Sequence, residues 1–203
     1  MLKKLVIASA VLAASTSVVF AGPSYKGEAM PQPAPCPVYT YSTGPYLGFS
    51  VGDRTNMSSY SGAFKGADFT LSGGYGAMLT PDFYLAGEVF VLDTAKVSDY
   101  ALNNTVSLQS TWGYGASILP GYMINERVLG YLRGGVIRTR FNNQSGNATG
   151  GTFGLGLQTP LDHNWDLRAE YDWSWYNKVS GSAVGVGSPR TTLFNVGIVY
   201  KFI

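Results

Sequence analysis

The sequence predicts an all-β fold, an eight-stranded antiparallel up-and-down transmembrane β-barrel, and three observations carry that prediction. From Gly44 onward apolar and polar side chains alternate in two-residue steps, eight such segments follow one another, and their connections are alternately short and long. A period of two marks a strand with one apolar face. Short turns alternating with long polar loops is the pattern of a barrel that crosses a membrane, its turns on one side and its loops on the other.

The first strand, GPYLGFSVG, sets Leu47, Phe49 and Val51 against Tyr46, Gly48, Ser50 and Gly52. The second, from Lys65 to Met78, sets Phe69, Leu71 and Tyr75 against Asp68, Thr70, Ser72, Gly74 and Gly76. The third opposes Phe83, Leu85, Val89 and Val91 to Tyr84, Ala86 and Glu88. In the fourth, Val106, Leu108, Trp112, Tyr114 and Ile118 oppose Ser107, Gln109, Thr111, Gly113 and Ser117. The fifth sets Val128, Leu132 and Val136 against Tyr131, Arg133 and Gly135, and the sixth sets Phe153, Leu155 and Leu157 against Thr152, Gly154, Gly156 and Gln158. In the seventh, Trp165, Leu167, Ala169, Tyr171, Trp173 and Trp175 alternate with Asp166, Arg168, Glu170, Asp172 and Ser174. The eighth ends the chain, with Phe194, Val196, Ile198, Tyr200 and Phe202 opposing Asn195, Gly197, Val199 and Lys201.

Short turns are expected at Thr80–Asp82, Asn125–Arg127 and Asp162–Asn164, and long loops at Thr55–Phe64, Ser98–Asn104, Asn142–Thr149 and Lys178–Pro189. An even strand number puts both ends of the folded domain on the turn side.

Ahead of the barrel, Met1 to Ala21 reads as a secretory signal: Lys3 and Lys4, an apolar run from Leu5 to Phe20, and cleavage between Ala21 and Gly22. The run is shorter than a spanning helix needs, and Gly22-Pro23 breaks it at once. Cys36 lies too far beyond it for a lipid anchor and can form no internal disulfide. Gly22 to Thr43, with Pro23, Pro31, Pro33, Pro35 and Pro37, is expected to be an extended periplasmic leader, and residues 44–203 the barrel. Without Lys3 and Lys4 the acidic and basic side chains balance, so nothing in the charge points to nucleic acid.

A soluble lipocalin-like carrier shows the same alternation with its large apolar residues inside. Here the other face carries Asp68, Glu88, Arg133, Arg168, Glu170 and Asp172 at mid-strand, where contact with hydrocarbon costs a basic side chain about 2–4 kcal/mol. These groups are therefore expected to form a charge network in the lumen, which eight strands make just wide enough to be filled by side chains. Phe83, Tyr122, Trp165, Tyr200 and Phe202 then fall outward at one end and Trp173 and Trp175 towards the other, as interfacial girdles.

DHNWDLRAEYDWSWYN and the final NVGIVYKFI, with GPYLGFSVG at the first strand, resemble the opacity-like or Omp25-like group of small outer-membrane β-barrel proteins over Gly44 to Ile203. The most specific element is LRAEY, Leu167 to Tyr171. The resemblance implies a protein of the Gram-negative outer membrane, envelope-stabilising and surface-exposed, in some members adhesive. It also implies that Tyr200 and Phe202 form the signal read by the barrel-assembly machinery, although this chain ends in Ile203 and not in an aromatic residue.

Catalytic chemistry finds little support. His163 is the sole histidine and falls in a turn. Glu88 and Glu170 are more simply counter-ions to Arg133 and Arg168. Gly150-Gly151 with Gly154 and Gly156 lacks the Lys-Ser/Thr ending of a phosphate loop, and small lumen-facing side chains account for it. The sequons at Asn56, Asn103, Asn143 and Asn147 read as polar loop residues. No metal or other cofactor is expected. Lys65, Arg138, Arg140 and Arg190 fall on outward parity near the outer strand ends, where they are expected to touch lipopolysaccharide. The sequence thus points to a non-enzymatic, monomeric surface barrel that contributes to envelope integrity and presents its loops for adhesion or host interaction, with a narrow low-conductance porin-like pore as the alternative and a lipid-modifying enzyme as a lesser one.

Overall fold

The computed structural model describes Tyr41 and residues 43–58, 61–100, 110–141, 147–177 and 190–202. Eight antiparallel strands form a closed barrel: β1 (Gly44–Ser58), β2 (Ser61–Met78), β3 (Phe83–Tyr100), β4 (Ser110–Met123), β5 (Leu129–Phe141), β6 (Asn147–Pro160), β7 (Trp165–Tyr176) and β8 (Arg190–Lys201). Each pairs with its sequence neighbours, and β1 closes on β8 from Tyr46↔Lys201 to Met57↔Arg190. Closure leaves no free edge through the membrane, the condition under which strands can cross it.

The three short turns, at residues 79–82, 124–127 and 161–164, share one geometry. In each, the first N–H donates to a carbonyl four residues on: Leu79 to Phe83, Ile124 to Val128 and Leu161 to Trp165, at 2.8–2.9 Å. The second residue in each case, Thr80, Asn125 or Asp162, accepts backbone N–H bonds on its side-chain oxygen. Small oxygen-bearing side chains favour such turns because they supply this local acceptor.

At the opposite end the strands run further than alternation suggested. Thr55–Phe64, expected as a loop, belongs almost wholly to β1 and β2, which pair as far as Ser58↔Ser61. Likewise β3 continues to Tyr100, and β6 already begins at Asn147 within the expected third loop. The cause is irregularity that hides the period: pairing shifts at Asn56/Ser58, Lys65/Gly66 and Ser110/Gly113, where bulges let a strand continue while its faces change places. Such bulges are common at barrel rims. At 18 residues, β2 and β3 exceed the roughly 9–11 that a tilted strand needs to cross a bilayer. Val106, Ser107, Leu108, Gln109, Ala21, Gly22, Cys36, Asn103, Asn143, Ile203 and the Lys178–Pro189 loop lie outside the described residues.

Two further expectations change with the strand bounds. Asn56 is not a loop residue: it sits in β1 facing the lumen, 1% exposed, donating to Ser110 and accepting from Thr191. In the glycine-rich run of β6, Gly154 and Gly156 face inward, but Gly151 faces out. Gly156 lies under the Tyr131 ring and Gly76 under Tyr84, so a Cβ at either would strike the aromatic ring.

The outward surface is apolar. Leu71, Val89, Ile118, Val136, Leu157 and Phe194 are all about half exposed or more, as are Leu79, Ile124 and Leu161 on the turns. Ring contacts cluster at both ends, with Trp165, Tyr200 and Phe202 edge to face on the turn side and Tyr171–Trp173 and Trp112–Tyr114 towards the other. No described helix is long and apolar enough to cross a membrane; the strands do the crossing.

Candidate functional site: the lumen and the outer rim

Alternate residues of every strand point into the barrel, and there they meet in three connected layers. At the turn side, Lys201 Nζ lies 2.8 Å from Asp166 Oδ1, and Gln158 donates to Asp166 Oδ2 at 2.6 Å while accepting from Arg168 Nε at 3.0 Å. Tyr41, just ahead of β1, is buried in the same mouth: its hydroxyl donates to the Gln158 carbonyl, its ring packs against Tyr84, and Lys201 lies over its face. Burial, reinforced by Asp166, pushes the Tyr41 phenol well above its ordinary range, keeping it a neutral donor. Thr43 adds a second tie by accepting from Met78 N–H.

The middle layer is centred on Arg133. Its guanidinium reaches Glu88 Oε1 at 3.0 Å, Glu170 Oε2 at 2.9 Å and Asp172 Oδ2 at 3.5 Å, while its Nε donates to Ser117. Arg168 takes the other Glu88 oxygen at 2.6 Å, and the hydroxyls of Tyr46 and Tyr131 donate to Glu88 and Glu170. The rings of Phe90, Tyr46 and Tyr131 lie against the two guanidinium planes. A planar, five-donor cation suits this task, because it can satisfy several carboxylates at once in a dry space.

The outer layer pairs Arg54 with Asp68 at 2.9 Å, with Thr94, Ser110, Asn56 and Thr191 completing a hydroxyl and amide chain. Arg54, Asp166 and Lys201 thus stand beside Asp68, Glu88, Arg133, Arg168, Glu170 and Asp172, though they were not singled out from sequence. Asp166 and Lys201 do sit on the inward parity of their strands. Arg54 lies beyond the regular alternation of GPYLGFSVG, in the continuation of β1. Apolar side chains fill the space between layers: Leu119, Leu129, Val199, Ile137 and Leu92 are buried inside the barrel. A cavity of about 20 Å³ lies between Arg54 and Arg133 and one of about 10 Å³ beside Glu88, Arg133 and Arg168, each near the size of one water molecule.

At the outer end, Lys65, Arg138, Arg140 and Arg190 are exposed on the outside of β2, β5 and β8. Asp53 and Asp93 are the outward acids on β1 and β3. His163 is exposed in the β6–β7 turn, its N–H held by Asp162. Among the described residues no cluster of His, Cys, Asp or Glu is arranged to hold a metal ion.

The family model described as an outer membrane protein beta-barrel domain matches residues 10–202. The chain belongs to this family of outer-membrane β-barrels. It is an integral protein of the Gram-negative outer membrane, so its turn side faces the periplasm and its outer rim the cell surface. Neisserial surface protein A is a structural neighbour, with TM-score 0.56 and 21% identity over 78% of this chain and 97% of that one. Ail, the attachment invasion locus protein of Yersinia pestis, superposes with TM-score 0.50 and 17% identity over 80% of this chain and 100% of its own. At these identities the likeness is one of fold. No curated protein sequence matches the chain. Tyr200 and Phe202 stand on the outer surface of the last strand of this outer-membrane barrel, ring against ring.

Proposed function

We propose that this barrel is a non-enzymatic, monomeric envelope protein that binds lipopolysaccharide at its outer rim, stabilises the outer membrane and presents its outer loops to the surroundings. The lumen carries this reading. Among the described residues, ion pairs and apolar side chains occupy it from Tyr41 to Arg54, with cavities of only about 20 Å³ and about 10 Å³ beside them. Its charged groups stabilise the wall they stand on, so interaction with the outside falls to the rim and the loops. Lys65, Arg138, Arg140 and Arg190 supply exposed cations near the outer strand ends, and a guanidinium binds anions such as phosphates through paired N–H donors. Tyr200 and Phe202 are proposed as the assembly signal. A role in adhesion rests on the strands that run past the membrane and on likeness of fold to Ail, itself named for attachment and invasion.

The rim is tested by reversing Arg138 and Arg140 to glutamate together. Lipopolysaccharide association is expected to weaken about tenfold, near 1.4 kcal/mol, and outer-membrane permeability to a large hydrophobic dye to rise, with the amount of folded barrel unchanged. Unaltered permeability and unaltered lipopolysaccharide association would remove the rim from the proposal.

A further inference from the structure

The outer surface carries one built feature that a lipid-facing wall does not require. On β1 to β6 there is an apolar groove of about 670 Å³. Its floor follows a row of directly paired residues, Leu47↔Gly73, Gly73↔Val89, Val89↔Ala116 and Ala116↔Val136. Gly73, with no side chain, and Ala116, with a single methyl, recess this row, and Leu71, Val91 and Tyr114 form the wall beside it.

The row is oblique to the membrane. Leu47 lies three residues from the periplasmic start of β1, whereas Val136 lies seven residues (136 − 129) from that of β5. At ~4.8 Å between neighbouring strands, the four steps from β1 to β5 give a channel roughly 19 Å long. That is comparable to one leaflet of a hydrocarbon core about 30 Å thick. At its outer end the groove stops being apolar: Arg138 and Thr149, a register pair, close it, and Arg140 follows two residues further out. No described carboxylate pairs with Arg138. An apolar trough of acyl-chain length that ends at a guanidinium and a hydroxyl is complementary to a lipid bearing an anionic phosphate beside its chain.

We propose that this groove is a specific seat for one acyl chain of lipid A, the phosphorylated glycolipid anchor of lipopolysaccharide. A lipid A phosphate takes the Arg138 guanidinium, and one chain lies diagonally over Gly73 and Ala116. The orientation selects the outer-leaflet lipid, because the cationic end is at the outer rim and the chain descends from it. The inference rests on the rim's meeting lipopolysaccharide and adds a defined, stoichiometric site on one side of the barrel.

Native mass spectrometry of the barrel extracted from outer membranes in mild detergent tests it. Wild type is expected to carry one lipid A-containing molecule. Ala116→Trp fills the groove from the lipid side, where a larger apolar side chain leaves the core untouched, and should lower the retained lipid about tenfold. Arg138→Glu should do the same. Val196→Trp, at an outward residue of β8 that does not line the groove, should retain the lipid as wild type does. Heat-modifiable gel mobility confirms that each variant is folded. Retention by Ala116→Trp with loss in Arg138→Glu would overturn the groove while leaving the rim contact standing. Retention in both variants, phospholipid in place of lipid A, or no stoichiometric lipid on wild type would overturn the site.

Discussion

Replacing Arg133 with methionine is expected to destabilise the folded barrel by about 3–5 kcal/mol, the largest single effect foreseen for any lumenal side chain. The substitution keeps bulk and removes charge, so the loss comes from the carboxylates left behind. Glu88, Glu170 and Asp172 all lean on this one guanidinium, and only Glu88 and Glu170 have a second cation, Arg168, within reach. An ionised carboxylate buried without this cation carries a desolvation cost that Arg168 and the Tyr46 and Tyr131 hydroxyls offset only in part, and only for Glu88 and Glu170. Urea unfolding in lipid vesicles, followed by tryptophan fluorescence, should show the midpoint falling. Adding Glu170→Gln and Asp172→Asn should restore part of the stability, because the unpaired charges disappear with their partner. Full stability of the Arg133→Met variant would mean that the lumen is wet and its ion pairs are incidental.

The second large effect lies on the other side of the wall. Ile118→Arg places a guanidinium on an outward residue near the middle of β4, between Trp112 at one interface and Tyr122 at the other. A basic side chain at the bilayer midplane costs about 2–4 kcal/mol, against 0–1 near the interfaces. The variant should therefore fold less completely into vesicles than Trp112→Arg, whose new charge lies at the outer headgroups. The contrast between these two arginines separates depth in the membrane from simple loss of a large side chain.

How much of this was legible beforehand follows from what alternation can and cannot encode. Wherever a strand was regular, as in β7 from Trp165 to Trp175, the two-residue period alone sorts Arg168, Glu170 and Asp172 inward and Leu167, Tyr171 and Trp175 outward. Cost settles the sign, since charges cannot face hydrocarbon. Bulges defeat the same logic: at Ser110/Gly113 the pairing shifts, so Ser110 is buried although it shares the parity of outward Trp112. Arg54 and Asn56 were hidden for a related reason, because DRTNM lacks the apolar partners that reveal a strand once it rises beyond the membrane. The apolar lumen, with Phe90, Leu92 and Leu119, was equally obscured: a continuous apolar run such as VFVL has no visible period. Glu88 and Glu170 are legible as counter-ions to Arg133 and Arg168, but which oxygen meets which guanidinium depends on the register around the whole barrel and leaves no local trace.

Barrel stability and the proposed role both depend on which face of each strand meets lipid. The most direct measurement is a spin-label scan of β8 in bilayers, one cysteine at a time from Leu193 to Val199, with Cys36 replaced. Oxygen collision rates should alternate with a period of two. Phe194, Val196 and Ile198 should be high, as positions in hydrocarbon, and Leu193, Asn195, Gly197 and Val199 low, as positions enclosed by the barrel. Inverted parity, or rates that do not alternate along the strand, would contradict it.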